Sequence, residues 1–273
     1  MRAHYAIPFA LAAACGSHGR AAPDASGGGG GGADSNTGGG DGSQAQVYVY
    51  AHSSSTLYRV DPDTLAISMV GDFGWPSSVG SDQMTDIAID KNGKMIGVSF
   101  TSVYEVDTAT AKTTLLSSSL DGNFNGLSFV PASQLGGTGD DVLVGTDNGD
   151  GKVYRVDPMT GAATQVGDMG GTFVSSGDLV AVAGFGTVQT VTGAPNDQLV
   201  RLAPNSFAAT AIGSGTGYGQ IWGVAFWKNK IYGFTNTGDF LLIDPNTGAG
   251  QLVSSNGVQW WGAAVTTLAP VIQ

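Results

Sequence analysis

After residue 45 the chain alternates apolar and polar residues in short runs, and the runs come in sets. Val153-Tyr154-Arg155-Val156 is one run, closed by Asp157-Pro158-Met159-Thr160-Gly161. Period-two alternation of aromatic and β-branched residues predicts a strand, with Tyr154 and Val156 on one face. The closing residues predict a tight turn. Pro158 fixes φ and lacks an N–H, Asp157 can accept from the backbone two residues on, and Gly161 tolerates positive φ. A second strand follows at Ala163-Thr164-Gln165-Val166-Gly167-Asp168, so the unit is a hairpin.

The unit recurs. Leu57-Tyr58-Arg59-Val60-Asp61-Pro62-Asp63-Thr64 is nearly the same, and Val103-Tyr104-Glu105-Val106-Asp107-Thr108-Ala109-Thr110 is looser. Val200-Arg201-Leu202-Ala203-Pro204-Asn205 is degraded, and Phe240-Leu241-Leu242-Ile243-Asp244-Pro245-Asn246-Thr247-Gly248 is the last. Aligned on positions 61, 107, 157, 203 and 244, the copies are 46, 50, 46 and 41 residues apart. Between them lie five short apolar runs, at 86–89, 126–129, 178–181, 223–226 and 262–265, rich in small residues that suit a crowded central wall. A period of roughly 40–50 residues made of short strands is the pattern of a β-propeller.

The expected fold is therefore all-β: a five-bladed β-propeller of four-stranded antiparallel blades. Each blade runs inner strand, second strand, Tyr-x-Val-Asp-Pro strand, outer strand. The first hairpin, from about 47 to 72, has no inner strand before it, and the run at 262–265 has no hairpin after it. Joining them closes the ring, with a C-terminal strand completing the N-terminal blade. Closure removes the long free edge that an open sandwich would leave.

The termini change the picture at one end. Arg2, a short apolar run at 6–14 and Leu11-Ala12-Ala13-Ala14-Cys15-Gly16 resemble a bacterial export signal with a lipobox. That resemblance implies cleavage before Cys15 and a lipid on its sulfur; cleavage at Ala-x-Ala would instead leave a secreted protein. Cys15 is the single cysteine, so no internal disulfide can form. Residues 16–45 carry Gly27 to Gly32 and Gly38 to Gly40 among Ser, Asp and Ala, which cannot bury a core. The expected organisation is a signal peptide at 1–14, a lipidated Cys15 with a disordered Gly/Ser-rich tether at 15–45, and the propeller at 46–273. Such a tether stands a head off a membrane by roughly 30 Å. Gly16 follows the cysteine where an Asp would favour the inner membrane, so the expected location is the cell envelope, at the outer membrane.

Charge excludes one class of partner. The net charge is −11, with no basic footprint for nucleic acid. Glu105 is the single glutamate, and many of the aspartates sit in the turns just named, so turn chemistry accounts for much of the acidity.

Catalytic residue types are scarce. His52 is the one histidine beyond residue 45, in Tyr50-Ala51-His52-Ser53-Ser54-Ser55, and reads as a surface turn residue between strands 47–51 and 56–60. One His cannot supply a zinc or iron site, and no metal site is assigned. Asp90-Lys91-Asn92-Gly93-Lys94 and Asp147-Asn148-Gly149-Asp150-Gly151-Lys152 offer oxygen ligands for calcium. Both lack calcium-loop spacing and fall where hairpin turns are due. No cofactor is expected, and calcium stays the one ion these loops leave open.

The fivefold alignment yields a candidate site. The residues just before the inner strands, Thr85, Asn125, Gly177, Trp222 and Trp261, should ring one mouth of the channel. The next position holds Asp86, Gly126, Asp178, Gly223 and Gly262. Two Trp beside Thr85, Asp86, Asn125 and Asp178 suit a sugar ring, a peptide side chain or a planar ligand, with Trp260 and Tyr218 nearby. The competing role for the Trp residues is to fill space between blades.

The Leu-Tyr-x-Val-Asp-Pro-x-Thr-Gly repeats resemble those of secreted and envelope-anchored bacterial β-propellers of the quinoprotein-like and NHL-like superfamilies. The resemblance implies architecture only, since those groups hold enzymes, lectins and scaffolds. No quinone-binding residue of the quinoprotein enzymes can be matched here. The expected function is a non-enzymatic envelope lipoprotein whose head binds a protein or glycan ligand at the channel mouth. The alternatives are a glycan or lactone hydrolase using Asp86 and Asp178, and a structural scaffold for other envelope proteins.

Overall fold

The computed structural model describes residues 48–147 and 149–272. The expected signal peptide, Cys15 and the tether at 15–45 lie outside the described residues.

The first strands are β1 (Val49–His52), β2 (Thr56–Val60) and β3 (Ile67–Asp72). Four complete antiparallel blades follow. These are β4 (Asp86–Ile89), β5 (Met95–Val98), β6 (Val103–Val106) and β7 (Thr113–Ser117); then β8 (Phe124–Val130), β9 (Val142–Asp147), β10 (Lys152–Val156) and β11 (Ala163–Asp168). Next come β12 (Ser175–Val182), β13 (Gly186–Val191), β14 (Gln198–Leu202) and β15 (Ala209–Ile212); then β16 (Ile221–Trp227), β17 (Lys230–Thr235), β18 (Asp239–Ile243) and β19 (Gly250–Ser255). Finally β20 (Gly262–Ala264) pairs with β1, completing a blade of order β20-β1-β2-β3. The chain is a five-bladed, all-β propeller closed by its last strand, as the repeats predict.

The Asp-Pro-x-Thr turns form as their chemistry demands. Asp61 Oδ1 accepts from the N–H groups of Asp63 and Thr64 at 3.0 and 2.9 Å. Asp107, Asp157 and Asp244 do the same in their own turns. These bonds favour the charged form and hold the Asp107 and Asp244 carboxyls below the usual range. The residue that follows takes positive φ in all five turns: Leu65, Ala111, Gly161, Phe207 and Gly248. Positive φ is thus not what requires glycine at 161. A Cβ there would collide with the Ser119 carbonyl of the strand-end beside it.

The strand before the turn departs from simple alternation. Its register with the outer strand shifts between Leu57 and Tyr58, Val103 and Tyr104, Val153 and Tyr154, and Phe240 and Leu241. A bulge resets the phase of the pleat. Val153 and Val156 are therefore both buried, whereas Tyr154, expected to share a face with Val156, is half-buried.

Apolar side chains between adjacent blades make the core. Trp260 belongs there and not at the channel mouth, for it is fully buried against Tyr58 and Phe234 at 5.0 and 5.4 Å between ring centroids. Tyr218 lies over Gly250 at the start of β19.

Beyond β20 the chain crosses one end of the channel and ties itself to every other blade. Thr266 bridges Ile89, and its Oγ1 donates to the Asp90 carbonyl at 2.9 Å. Thr267 Oγ1 donates to Asp141 Oδ2 at 2.6 Å, and Ala183 N–H donates to the Thr267 carbonyl at 2.8 Å. Lys228 N–H donates to the Pro270 carbonyl at 2.8 Å. The pairing of Tyr50 with Ala264 and His52 with Gly262 puts the start of β1 at this tail end and His52 at the opposite, Trp261 end.

The degraded fourth copy gives a test. Ala203 offers no carboxylate, and the Asn205 and Ser206 N–H groups bond instead to the carbonyls of Gln134 and Pro204, each at 2.8 Å. Asp157→Ala should cost about 1 kcal/mol, because its two amides have no such substitute. Ala203→Asp should change stability by less than about 0.5 kcal/mol, because no amide there awaits an acceptor. Urea unfolding of both variants measures the contrast.

Candidate functional site

The inner strands do not start in regular register. Phe124 pairs with Asp147 and Gly126 with Thr146, which leaves Asn125 as an extra residue. Ile221 pairs with Thr235 and Gly223 with Phe234, which leaves Trp222 extra. In β12 the register shifts between Ser175 and Leu179. Bulges re-aim side chains, and these turn Asn125, Ser176 and Trp222 to the mouth. With Thr85, Gly177 and Trp261 they line a cup of about 230 Å³. Of the six expected site residues, Thr85, Asn125, Trp222 and Trp261 reach the cup, while Asp86 and Asp178 do not.

Aromatic walls dominate the cup. Trp222 and Trp261, both half-buried, meet at 6.2 Å between centroids and 85° between planes. Phe100 meets Trp261 at 6.4 Å and 79°. Phe100 escaped the alignment because it lies on the β5–β6 turn, not on an inner strand. Ser99 Oγ accepts from the Thr101 and Ser102 amides and builds that turn, leaving Phe100 at the tip, 51% exposed. An aromatic between Ser99 and Thr101 in a polar turn was the available signal.

The polar lining is uncharged. Thr85 Oγ1 donates to the Val98 carbonyl at 3.1 Å. Ser176 Oγ donates to Asp197 Oδ2 at 2.6 Å, and the same oxygen accepts from Ile221 N–H at 2.8 Å. Asp197, missed in the sequence, stands behind the wall and is 5% exposed. Burial raises its pKa, against the pull of those hydrogen bonds.

Asp86 and Asp178 lie beneath the cup, fully buried on the channel axis. The expectation that they face the opening is corrected by their hydrogen bonds: both carboxyls turn inward to the amides of the inner strands. Asp178 Oδ1 accepts from Leu179 N–H at 2.7 Å. Its Oδ2 accepts from Val224 N–H at 3.0 Å and Ala263 N–H at 3.2 Å. Asp86 Oδ1 accepts from Ile87 N–H at 2.8 Å, and the Leu127 amide also acts on this carboxyl. Residues 87, 127, 179, 224 and 263 stand one in each inner strand, so the pair gathers an amide from every blade. Glycine at 262 makes room, since a Cβ there would collide with Asp86 Oδ1 and His52 Nε2.

His52 is not the surface turn residue its neighbours predict. It ends β1, fully buried, because that strand is second from the axis. Its Nδ1 bonds the Ser53 carbonyl at 2.8 Å, which leaves Nε2 without a proton and 3.7 Å from Asp86 Oδ1. Burial pulls its pKa down to about 4, against the Ser53 bond, so the ring is neutral at pH 7. Burial pushes both carboxyls well above the usual range, and Asp178 pushes Asp86 further. Three N–H donors make Asp178 the anion of the pair and leave the proton with Asp86. Both carboxyls are fully buried and neither lines the cup.

The Asp90 loop joins β4 to β5, with Asp90 Oδ1 accepting from Asn92 and Lys94 N–H at 2.8 Å each. Asp147 Oδ1 likewise accepts from Gly149 N–H at 2.7 Å in the β9–β10 turn. Among the described residues no three His, Cys, Asp or Glu side chains gather as a metal site.

The pair has an asymmetric test. Asp86→Asn keeps the acceptor for Ile87 and, in its amide N–H, the donor toward Asp178 that the Asp86 proton supplies, so unfolding at pH 7 should change by less than about 1 kcal/mol. Asp178→Asn sets an amide nitrogen against at least one N–H donor and removes the anion that the others bond, and should cost about 3 kcal/mol. The pH dependence follows from the raised carboxyl values. Stability held by the shared proton is complete below the unfolded value near 4 and is lost as pH rises through the folded values. His52 acts oppositely, with stability complete above 6.5 and lost as pH falls through about 4. Unfolding curves of the native chain and Asp86→Asn across this range should differ by the carboxyl contribution, falling with pH only in the native chain.

No protein-family model matches the sequence, and no curated protein matches it. Similar solved structures are found. A chain from work on the de novo evolutionary emergence of a symmetrical protein shaped by folding constraints is 18% identical, with a TM-score of 0.52 over 83% of this chain and 100% of its own. A chain of a nidogen/laminin complex is 8% identical, with a TM-score of 0.54 over 81% of this chain and 99% of its own. TolB from Acinetobacter baumannii is 15% identical, with a TM-score of 0.46 over 78% of this chain and 53% of its own. The first two likenesses are to fold alone, and the fold they share with this chain is compatible with ligand or protein binding.

Proposed function

We propose that this protein is a non-enzymatic binding head of the cell envelope, anchored through a lipid on Cys15, and that its ligand enters the cup at the channel mouth. The observation that carries the reading is the set of three aromatic side chains, Phe100, Trp222 and Trp261, kept partly exposed around one opening. Trp260, which fills space between blades, is fully buried, whereas these three are not. Large apolar side chains left accessible together mark binding surfaces. The uncharged amides and hydroxyls beside them, from Asn123, Asn125, Thr85 and Ser176, can orient a bound group by hydrogen bonding.

The catalytic alternative finds less support, because the two carboxyls it needs are sealed under the floor. Export and lipidation rest on the resemblance around Cys15, and metabolic labelling with a fatty acid, abolished by Cys15→Ser, tests them.

Thermal-shift screening of the full chain against glycans, peptides and small organic solutes tests the cup. Trp222→Ala and Trp261→Ala should each weaken any bound ligand by about tenfold or more. Both variants should keep cooperative unfolding, because neither indole is fully buried. Binding that survives both replacements removes the cup as the site.

A further inference from the structure

The shape and charge of the cup select a ligand class. Trp222 stands at 85° to Trp261, and Phe100 at 79° to Trp261. Walls at right angles make a corner. A flat ring can stack on only one wall of a corner, whereas a compact, rounded group touches all of them. Electrostatics adds a sign. The ring faces carry negative potential, and none of the nine lining residues is basic. Carboxylates stand just behind the polar walls: Asp197 holds the Ser176 hydroxyl, and Asp178 follows Gly177 on the channel axis. Neither carboxylate opens into the cup, so an incoming cation meets their field but not their oxygens. That suits a cation with no N–H to donate.

We propose that the cup binds a quaternary ammonium group. This rests on the cup being the binding site, as argued above. The methylated nitrogen sits in the Phe100, Trp222 and Trp261 corner, and the rest of the ligand leaves past Asn123 at the exposed rim. Anionic groups are disfavoured there by the buried carboxylates and by the overall charge of −11. A protonated primary amine is disfavoured for a different reason, since it would bring three donors into a corner of rings.

Calorimetric titration of the full chain with tetramethylammonium, choline and 3,3-dimethylbutan-1-ol tests the proposal. The alcohol is the neutral carbon isostere of choline. Choline should bind at least about tenfold more tightly than the alcohol, and Trp222→Ala, Trp261→Ala and Phe100→Ala should each weaken it by about threefold to tenfold or more. Phosphatidylcholine vesicles and a peptide carrying trimethyl-lysine form two further arms. They show whether the group is read free, on a lipid or on a protein. Equal binding of choline and its isostere, or no binding of any quaternary ammonium, overturns the proposal. If a neutral glycan or another ligand is instead bound and lost in Trp222→Ala, the quaternary ammonium class fails while the cup stands. If choline binds but all three aromatic variants bind it unchanged, the cup itself fails.

Discussion

Five inner strands set around one axis bring five backbone amides into a fully buried space. Each amide left unpaired there would cost on the order of 1–3 kcal/mol. The rest of the ring depends on how that demand is met. Asp178 takes three of the amides, Asp86 takes Ile87 N–H and feels Leu127, and the blades are joined through two side chains. A carboxylate is the one short side chain that accepts several N–H bonds and donates none. Two of them in contact must keep a proton, and neutral His52 alongside is compatible with that. Glycine or close backbone approach at the other ring positions follows from the same crowding. The second tie, the tail through Thr266, Thr267 and Pro270, works at the far end of the channel by ordinary hydrogen bonds to loops.

The blades were legible in the sequence because each turn carries its own chemistry. Asp61, Asp107, Asp157 and Asp244 cap their turns locally, and local interactions repeat when the sequence repeats. The ring closure was legible for a topological reason: one hairpin lacked a strand and one strand lacked a hairpin. Side-chain direction was less legible. The bulge at Tyr154 moves a residue out of phase, and a bulge costs no particular residue type that a pattern could reveal. The mouth position was found by alignment, yet the same alignment could not say that Asp86 and Asp178 face the axis below it.

His52 shows the deeper limit. Its neighbours are a turn, and a histidine beside Ser53-Ser54-Ser55 has every local sign of the surface. Its burial is set by β20, a strand more than two hundred positions away, and by Asp86 in another blade. Phe100 fails in the opposite direction. A Ser-Phe-Thr-Ser turn looks like an ordinary loop until Trp261, from the closing strand, arrives beside it. Both residues are defined by what the ring brings together on closing, and a single sequence does not display that.

The course of β1 has a further consequence. The described chain comes in at the tail side of the ring, and β1 then runs toward the Trp261 side. The aromatic cup therefore opens on the face opposite the start of β1, and the same ring shows one side to a ligand and the other to its own closing strap.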